Sequence, residues 1–224
     1  MSGWFFSFEG PEGSGKSSHI RALADYLRSR RVPVRVTREP GGTPLGQRIR
    51  ELLLHPTEGD WVDRAEVLLF LADRAQHVDQ VLRPALARGE VILCDRYADS
   101  TLAYQGYGRG LPLDQLRALI AFATRGLQPH RTFLLDVAPE IGLQRRRQGG
   151  GMDRLDAQTL AFHRRVREGF LALARAEPER WIVVDASKPW DVVQRTLREH
   201  VRRLLGLPEE ELSKPDDSPP RGAR

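Results

Sequence analysis

Gly10-Pro11-Glu12-Gly13-Ser14-Gly15-Lys16-Ser17 satisfies the spacing G-x-x-x-x-G-K-[ST] and follows the apolar run Trp4–Phe8. Strand, glycine-rich loop and helix thus occur in the order that a phosphate-binding loop requires. The glycines let the backbone turn tightly and aim its N–H groups at phosphate oxygens. The helix that follows, from about Lys16 to Arg30, adds its positive N-terminal end. In such a loop Lys16 bridges β- and γ-phosphates and Ser17 ligates Mg²⁺, while Gly10, Pro11, Glu12, Gly13, Ser14, Gly15 and Ser18 complete the cradle for a nucleoside triphosphate. A plain glycine-rich turn before an ordinary helix is the competing reading.

Outward from the loop, the chain alternates short apolar runs with amphipathic stretches and has no internal repeat. The expected strands are Trp4–Phe8, Val34–Arg38, Val91–Asp95, Thr132–Val137 and Trp181–Asp185. Continuous apolar runs of this kind fit a five-stranded parallel α/β sheet with helices on both faces. Helices are expected at about 16–30, 44–54, 63–88, 98–105, 113–124, 139–147, 156–176 and 189–205, with Pro84 kinking or splitting the long one. Residues 1–207 read as one domain. From 208 to 224 the composition turns to Glu, Pro, Asp and Ser, too polar to order itself, so a disordered tail is expected.

The 224 residues carry a net charge of +5 and one cysteine, Cys94. One cysteine excludes an intrachain disulfide framework and a thiolate metal cluster. No apolar run approaches a membrane span, and Met1–Gly3 leads directly into the first strand, so a cytoplasmic protein without a membrane partner is expected. The positive charge comes from arginines scattered along helices, with Lys16, Lys188 and Lys214 the only lysines. That distribution is not a nucleic-acid groove.

Ligands of such sheets bind beyond the carboxyl ends of the strands. Here those ends carry the P-loop, Arg38-Glu39-Pro40-Gly41-Gly42-Thr43, Asp95-Arg96-Tyr97 and Asp185-Ala186-Ser187-Lys188-Pro189. Together with Phe70, Arg74 and the run Asp95-Arg96-Tyr97-x-x-Ser100-Thr101-x-x-Tyr104-Gln105-Gly106, they resemble the bacterial thymidylate kinase family from about Phe5 to Val201. The combination is more specific than the P-loop alone. The resemblance implies transfer of the ATP γ-phosphoryl group to dTMP, with Mg²⁺, on a P-loop nucleoside monophosphate kinase fold, in a homodimer.

It also implies roles for single residues. Glu12, an anion in a loop built for anions, reaches the sugar 3′-hydroxyl; as a plain residue it only favours the helix dipole. Arg96 grips the acceptor phosphate and Arg50 is a second phosphate contact, since guanidinium forks suit phosphate. Arg38 and Glu39 shape the same corner. Asp95 ends a strand where a carboxylate organises Mg²⁺ and its water, although an ion pair with arginine fits the position too. Phe70 and Arg74 share one helix face; in the family the ring stacks on the base and the arginine donates to its 4-carbonyl oxygen. Phe70 fits an apolar core equally well on its own. Ser100 or Thr101, with Gln105, completes the polar contacts to the base, and Tyr104 lies against C2′ of the sugar.

The stretch Arg145-Arg146-Arg147-Gln148-Gly149-Gly150-Gly151-Met152-Asp153-Arg154-Leu155-Asp156 places arginines around three glycines, as in a mobile lid spanning about 147–156. The family includes a type with an arginine inside the P-loop and a type that delivers it from the lid. Gly13 and Ser14 provide none here, which makes Arg154, then Arg147, the candidate catalytic arginines beside Lys16 and Arg96. Another nucleoside monophosphate kinase is the near alternative. A GTPase normally reads guanine with Asn-Lys-x-Asp, and this chain contains no asparagine. A nucleic-acid-stimulated ATPase calls for a second domain or an aromatic-laced basic groove.

Overall fold

The computed structural model describes residues 3–54, 61–148 and 154–208. The middle of the expected lid, residues 149–153, and all but Pro208 of the expected tail lie outside those residues. The elements run β1 (Trp4–Glu9), α1 (Lys16–Ser29), β2 (Val34–Arg38), α2 (Pro44–Leu54), α3 (Asp63–His77), α4 (Arg83–Ala87), β3 (Val91–Asp95), α5 (Ala98–Thr101), α6 (Leu113–Thr124), β4 (Arg131–Asp136), α7 (Pro139–Gln148), α8 (Leu160–Ala176), β5 (Trp181–Asp185) and α9 (Trp190–Leu204).

The five strands pair in the order β2-β3-β1-β4-β5, and every pairing is parallel. The expected sheet is therefore present. Side chains alternate across each strand. In β1, Phe6 and Phe8 face the layer of α1 and α9, among Leu23, Leu27, Val193 and Leu197. Phe5 faces the other way, with Val78, Leu82, Ile92 and Tyr97. A further apolar cluster joins α3, α6 and α8 through Val67, Leu116, Phe162, Val166 and Phe170. Helices thus cover both faces. Because all strands are parallel, their carboxyl ends share one rim, and the polar turns converge there.

The helix boundaries differ from expectation in three places. The stretch 63–88 is divided near Pro84, as expected, but through a wide π-type turn at Val78–Leu82 that joins α3 to α4. Pro84 has no N–H to give the carbonyl four residues earlier, so the regular ladder cannot cross that point. The helix expected at 98–105 is a short α5 followed by a second wide turn at Leu102–Gly108. The helix expected from 156 begins at Leu160, because the Thr159 hydroxyl accepts from the Phe162 N–H at 3.2 Å and caps it there.

Candidate active site

A cleft of about 640 Å³ opens on the rim, floored by the P-loop and flanked by the ends of β2 and β3. Gly15, in the left-handed region at φ 85°, turns the chain into α1. The Lys16 ammonium lies over its own loop, donating to the carbonyls of Gly10 at 3.1 Å and Pro11 at 3.0 Å and to Ser14 Oγ at 3.1 Å. Burial, and next the charge of Arg96, push its pKa down to about 8 against the pull of Glu12 and Asp95. Beside it Ser17 Oγ donates to Asp95 Oδ2 at 2.5 Å.

The turn after β3 aims Arg96 back across the P-loop. Its Nη1 donates to the Gly10 carbonyl at 3.2 Å and to Ser100 Oγ at 3.1 Å. Its Nη2 donates to Glu12 Oε1 at 2.7 Å and to Tyr104 Oη at 2.9 Å. The guanidinium carbon sits 4.9 Å from the centre of the Tyr104 ring, and the Tyr104 hydroxyl donates to Glu12 Oε1 at 2.7 Å. Burial alone would raise the Glu12 pKa. Arg96, then Lys16, overcome that effect and hold it down to about 2.

Under the far end of the cleft, Arg74 is 2 % exposed and neutralises the equally buried Glu39. Nε donates to Glu39 Oε2 at 2.7 Å, Nη1 to Thr101 Oγ1 at 3.0 Å and Nη2 to the Tyr97 carbonyl at 3.1 Å. Those bonds use three of the five N–H groups that an arginine has, leaving one on each terminal nitrogen. His77 bridges Glu39 Oε1 at 2.8 Å and Thr37 Oγ1 at 2.7 Å. Asp73 accepts from the Gly41 N–H at 3.0 Å. Arg50 donates to the Pro40 carbonyl at 2.9 Å. The loop after β2 is thereby tied to α2 and α3.

Of the expected site residues, Glu12, Gly13, Ser14, Gly15, Lys16, Ser17, Ser18, Arg38, Glu39, Arg50, Phe70, Arg74, Asp95, Arg96, Ser100, Thr101, Tyr104 and Gln105 all line this cleft. Gly10 and Pro11 contribute carbonyls to Lys16 instead. Ser100 Oγ accepts from Arg96 and donates to Glu9, and Thr101 Oγ1 accepts from Arg74, so both hydroxyls already have protein partners. Gln105 Nε2 donates to Glu66 at 2.8 Å, which leaves its carbonyl oxygen for other partners.

The lid arginines are placed differently. Arg154 donates from Nε to the Leu53 carbonyl at 3.0 Å and pairs with Glu66, away from the P-loop, with Trp61 beside it. Arg147 is exposed on the last turn of α7. Arg145 and Arg146, in the same last turn of α7, line the cleft themselves. Arg146 is oriented by Asp156 at 2.6 Å and Arg145 by the Ala186 carbonyl at 3.0 Å. Sequence reading also passed over His19 and Trp190, whose rings stack 5.1 Å apart on the same rim. His19 follows Lys16 by three residues and so shares its helix face, a signal that was present in the spacing.

A sequence model of the family described as thymidylate kinase matches residues 8–197. Among similar proteins, the thymidylate kinase of Deinococcus radiodurans is 55% identical over 192 residues, covering 86% of this chain and 93% of that protein. The thymidylate kinase of Carboxydothermus hydrogenoformans is 55% identical over 188 residues, covering 84% and 91%. That of Desulfovibrio desulfuricans is 51% identical over 208 residues, covering 90% and 96%. Sequence, sheet order and site geometry converge, and the chain belongs to the thymidylate kinase family.

Proposed function

We propose that this protein transfers the γ-phosphoryl group of ATP to dTMP, giving dTDP and ADP. One observation carries the reading: Lys16 on the donor side and Arg96 on the acceptor side stand over the same P-loop, within one cleft. Phosphoryl transfer asks the protein for positioning and for positive charge along the reaction line. The P-loop N–H groups and Lys16 hold the triphosphate. Arg96, with Arg50 from α2, holds the acceptor phosphate, and Glu12 accepts from the 3′-hydroxyl of the deoxyribose. Phe70 stacks on thymine, and the remaining Arg74 donors answer its 4-carbonyl oxygen. Gln105 adds a polar contact to the base, and Tyr104 closes the space at C2′.

The donor set Ser17 hydroxyl and Asp95 carboxylate consists of hard oxygens beside the phosphate cradle, which suits Mg²⁺. Among the described residues no group of three or more His, Cys, Asp or Glu gathers to hold a metal, so phosphate oxygens and water would supply the other ligands. Ser17 and Asp95 would hold Mg²⁺ there, where it would supply positive charge against the phosphates. Charge developing on the transferred group is met by arginines of α7 and the segment after it, with Arg146 facing the cleft and Arg154 and Arg147 delivered by lid movement.

The protein works in the cytoplasm, a reading in keeping with the described residues, none of whose helices is long and apolar enough to cross a membrane. It acts as a homodimer. Leu45 and Leu52 on α2, Leu68 on α3, and Leu119 and Phe122 on α6 are all exposed, Phe122 by 85 %, on helices packed side by side. Exposed apolar side chains in that density favour a partner copy.

The test is kcat/KM across dTMP, dUMP, dCMP, dGMP, AMP and UMP with ATP. Arg74 can only donate, so cytosine, whose 4-amino group also donates, is rejected strongly. One methyl separates thymine from uracil, worth about 1–3 kcal/mol in an apolar pocket, so dUMP is a weak substrate. A preference for dCMP, a purine or a ribonucleotide over dTMP would overturn the proposal.

A further inference from the structure

Glu9 ends β1 on the face opposite Phe8, fully buried, one residue before the P-loop. An ionised carboxylate in that position is costly. Burial, and next the charge of Asp99, push its pKa up. An apolar residue would be cheaper there, so the polar side chain calls for a role.

Its contacts converge on one place. Oε1 accepts from the Tyr97 backbone N–H at 2.7 Å and from Ser7 Oγ at 3.0 Å. Oε2 accepts from Ser100 Oγ at 2.6 Å. The Ser100 hydroxyl in turn receives Arg96 Nη1 at 3.1 Å. Between these anchors Arg96 has φ 69°, a left-handed conformation that costs a residue with a Cβ about 1 kcal/mol or more. Its own N–H is held by the Phe8 carbonyl at 3.0 Å. The strained residue is therefore fastened on the N-terminal side by the backbone of β1, and on the C-terminal side and at its guanidinium by Glu9, directly or through Ser100.

We propose that Glu9 is the positioning residue for the acceptor phosphate: it holds the bent backbone and the fork of Arg96 so that the guanidinium faces the cleft. Glu9 is not among the residues that line the cleft. The inference rests on the reading of Arg96 as the dTMP phosphate ligand.

The experiment is steady-state kinetics of the full-length enzyme with ATP and dTMP varied separately, for Glu9→Ala, Glu9→Gln and Ser100→Ala. Loss of this hydrogen-bonded anchor predicts that Glu9→Ala raises the dTMP KM about tenfold or more while the ATP KM stays within about twofold. Glu9→Gln keeps an oxygen for the Tyr97 N–H and recovers most of the dTMP KM; Ser100→Ala falls between. Equal changes in both KM values, no change in either, or a glutamine variant no better than alanine overturns the inference. If Glu9→Ala does not fold, Glu9→Asp takes its place, because a side chain one methylene shorter cannot span Tyr97 and Ser100 together. Its dTMP KM must then exceed that of Glu9→Gln, and the reverse order overturns the inference. An unmodified enzyme that does not use dTMP overturns the proposed function itself, whatever the Glu9 variants do.

Discussion

Arg96 and Glu12 meet across the mouth of the P-loop, Nη2 to Oε1 at 2.7 Å, although they lie 84 residues apart in the chain. In the function proposed above, the two serve different parts of one acceptor, the arginine its phosphate and the carboxylate its sugar. Arg96→Ala therefore removes the phosphate grip and leaves Glu12 buried against one fewer cation. The expected result is a fall of about 10² or more in kcat/KM for dTMP, with the ATP KM little changed. Steady-state assays at saturating ATP check it, and comparable losses for both substrates would contradict it.

Lys16 predicts a proton uptake on donor binding. Its pKa lies near 8 in the nucleotide-free protein, and a polyphosphate beside the ammonium raises it. ATP affinity is therefore fully present below pH 8 and declines as pH rises through 8, where the free enzyme has already lost the proton. Calorimetry at pH 8 in two buffers of different ionisation enthalpy should show proton uptake on ATP binding. Identical heats in the two buffers would refute the prediction.

Asp73 carries a pH-dependent stability term. It is fully buried, its Oδ2 has no hydrogen-bond partner among the described residues, and burial followed by the charge of Glu39 pushes its pKa up from 3.8 to about 6. Between those values the folded protein binds more protons than the unfolded chain, so stability through this group falls as pH rises. Asp73→Asn keeps an oxygen for the Gly41 N–H and removes the charge. Urea denaturation at pH 4.5 and 7.5 should show the variant gaining on the parent by about 2 kcal/mol over that interval. An equal pH dependence in both proteins would rule it out.

The arginine that meets the transferred phosphoryl group can be assigned by three variants. Supplying such a charge is typically worth about 10³ or more in kcat. Arg146→Ala, Arg147→Ala and Arg154→Ala should include at least one with a kcat loss of about 10² or more and a dTMP KM within about threefold of the parent. Retention of more than roughly a third of kcat in all three would remove the lid from the mechanism.

The sheet and most of the cleft lining were legible because their signals are local. The five apolar runs, the P-loop spacing and the four-residue step from Phe70 to Arg74 can each be read within a few residues. What escaped depends on contacts between distant segments. Nothing beside Glu9 in the sequence marks it, because its partners Tyr97 and Ser100 lie 88 and 91 residues later. Arg154 reads as a candidate catalytic arginine of the lid, and its local sequence gives no sign of Glu66 and the Leu53 carbonyl, which hold it in the structure. The wide turns at Val78–Leu82 and Leu102–Gly108 leave helical periodicity nearly intact, so the pattern of apolar residues does not expose them.

In the structure the P-loop and α7 lie backbone against backbone. A Cβ on Gly13, itself at φ 67°, would lie 2.0 Å from the Gly142 carbonyl oxygen, and one on Gly142 would lie 2.1 Å from the Glu12 carbonyl oxygen. Neither position can accept a side chain unless the other element retreats. An arginine at position 13 would therefore displace the very helix that carries Arg145 and Arg146. Placing an arginine at position 13 would take coordinated change on both sides of that contact.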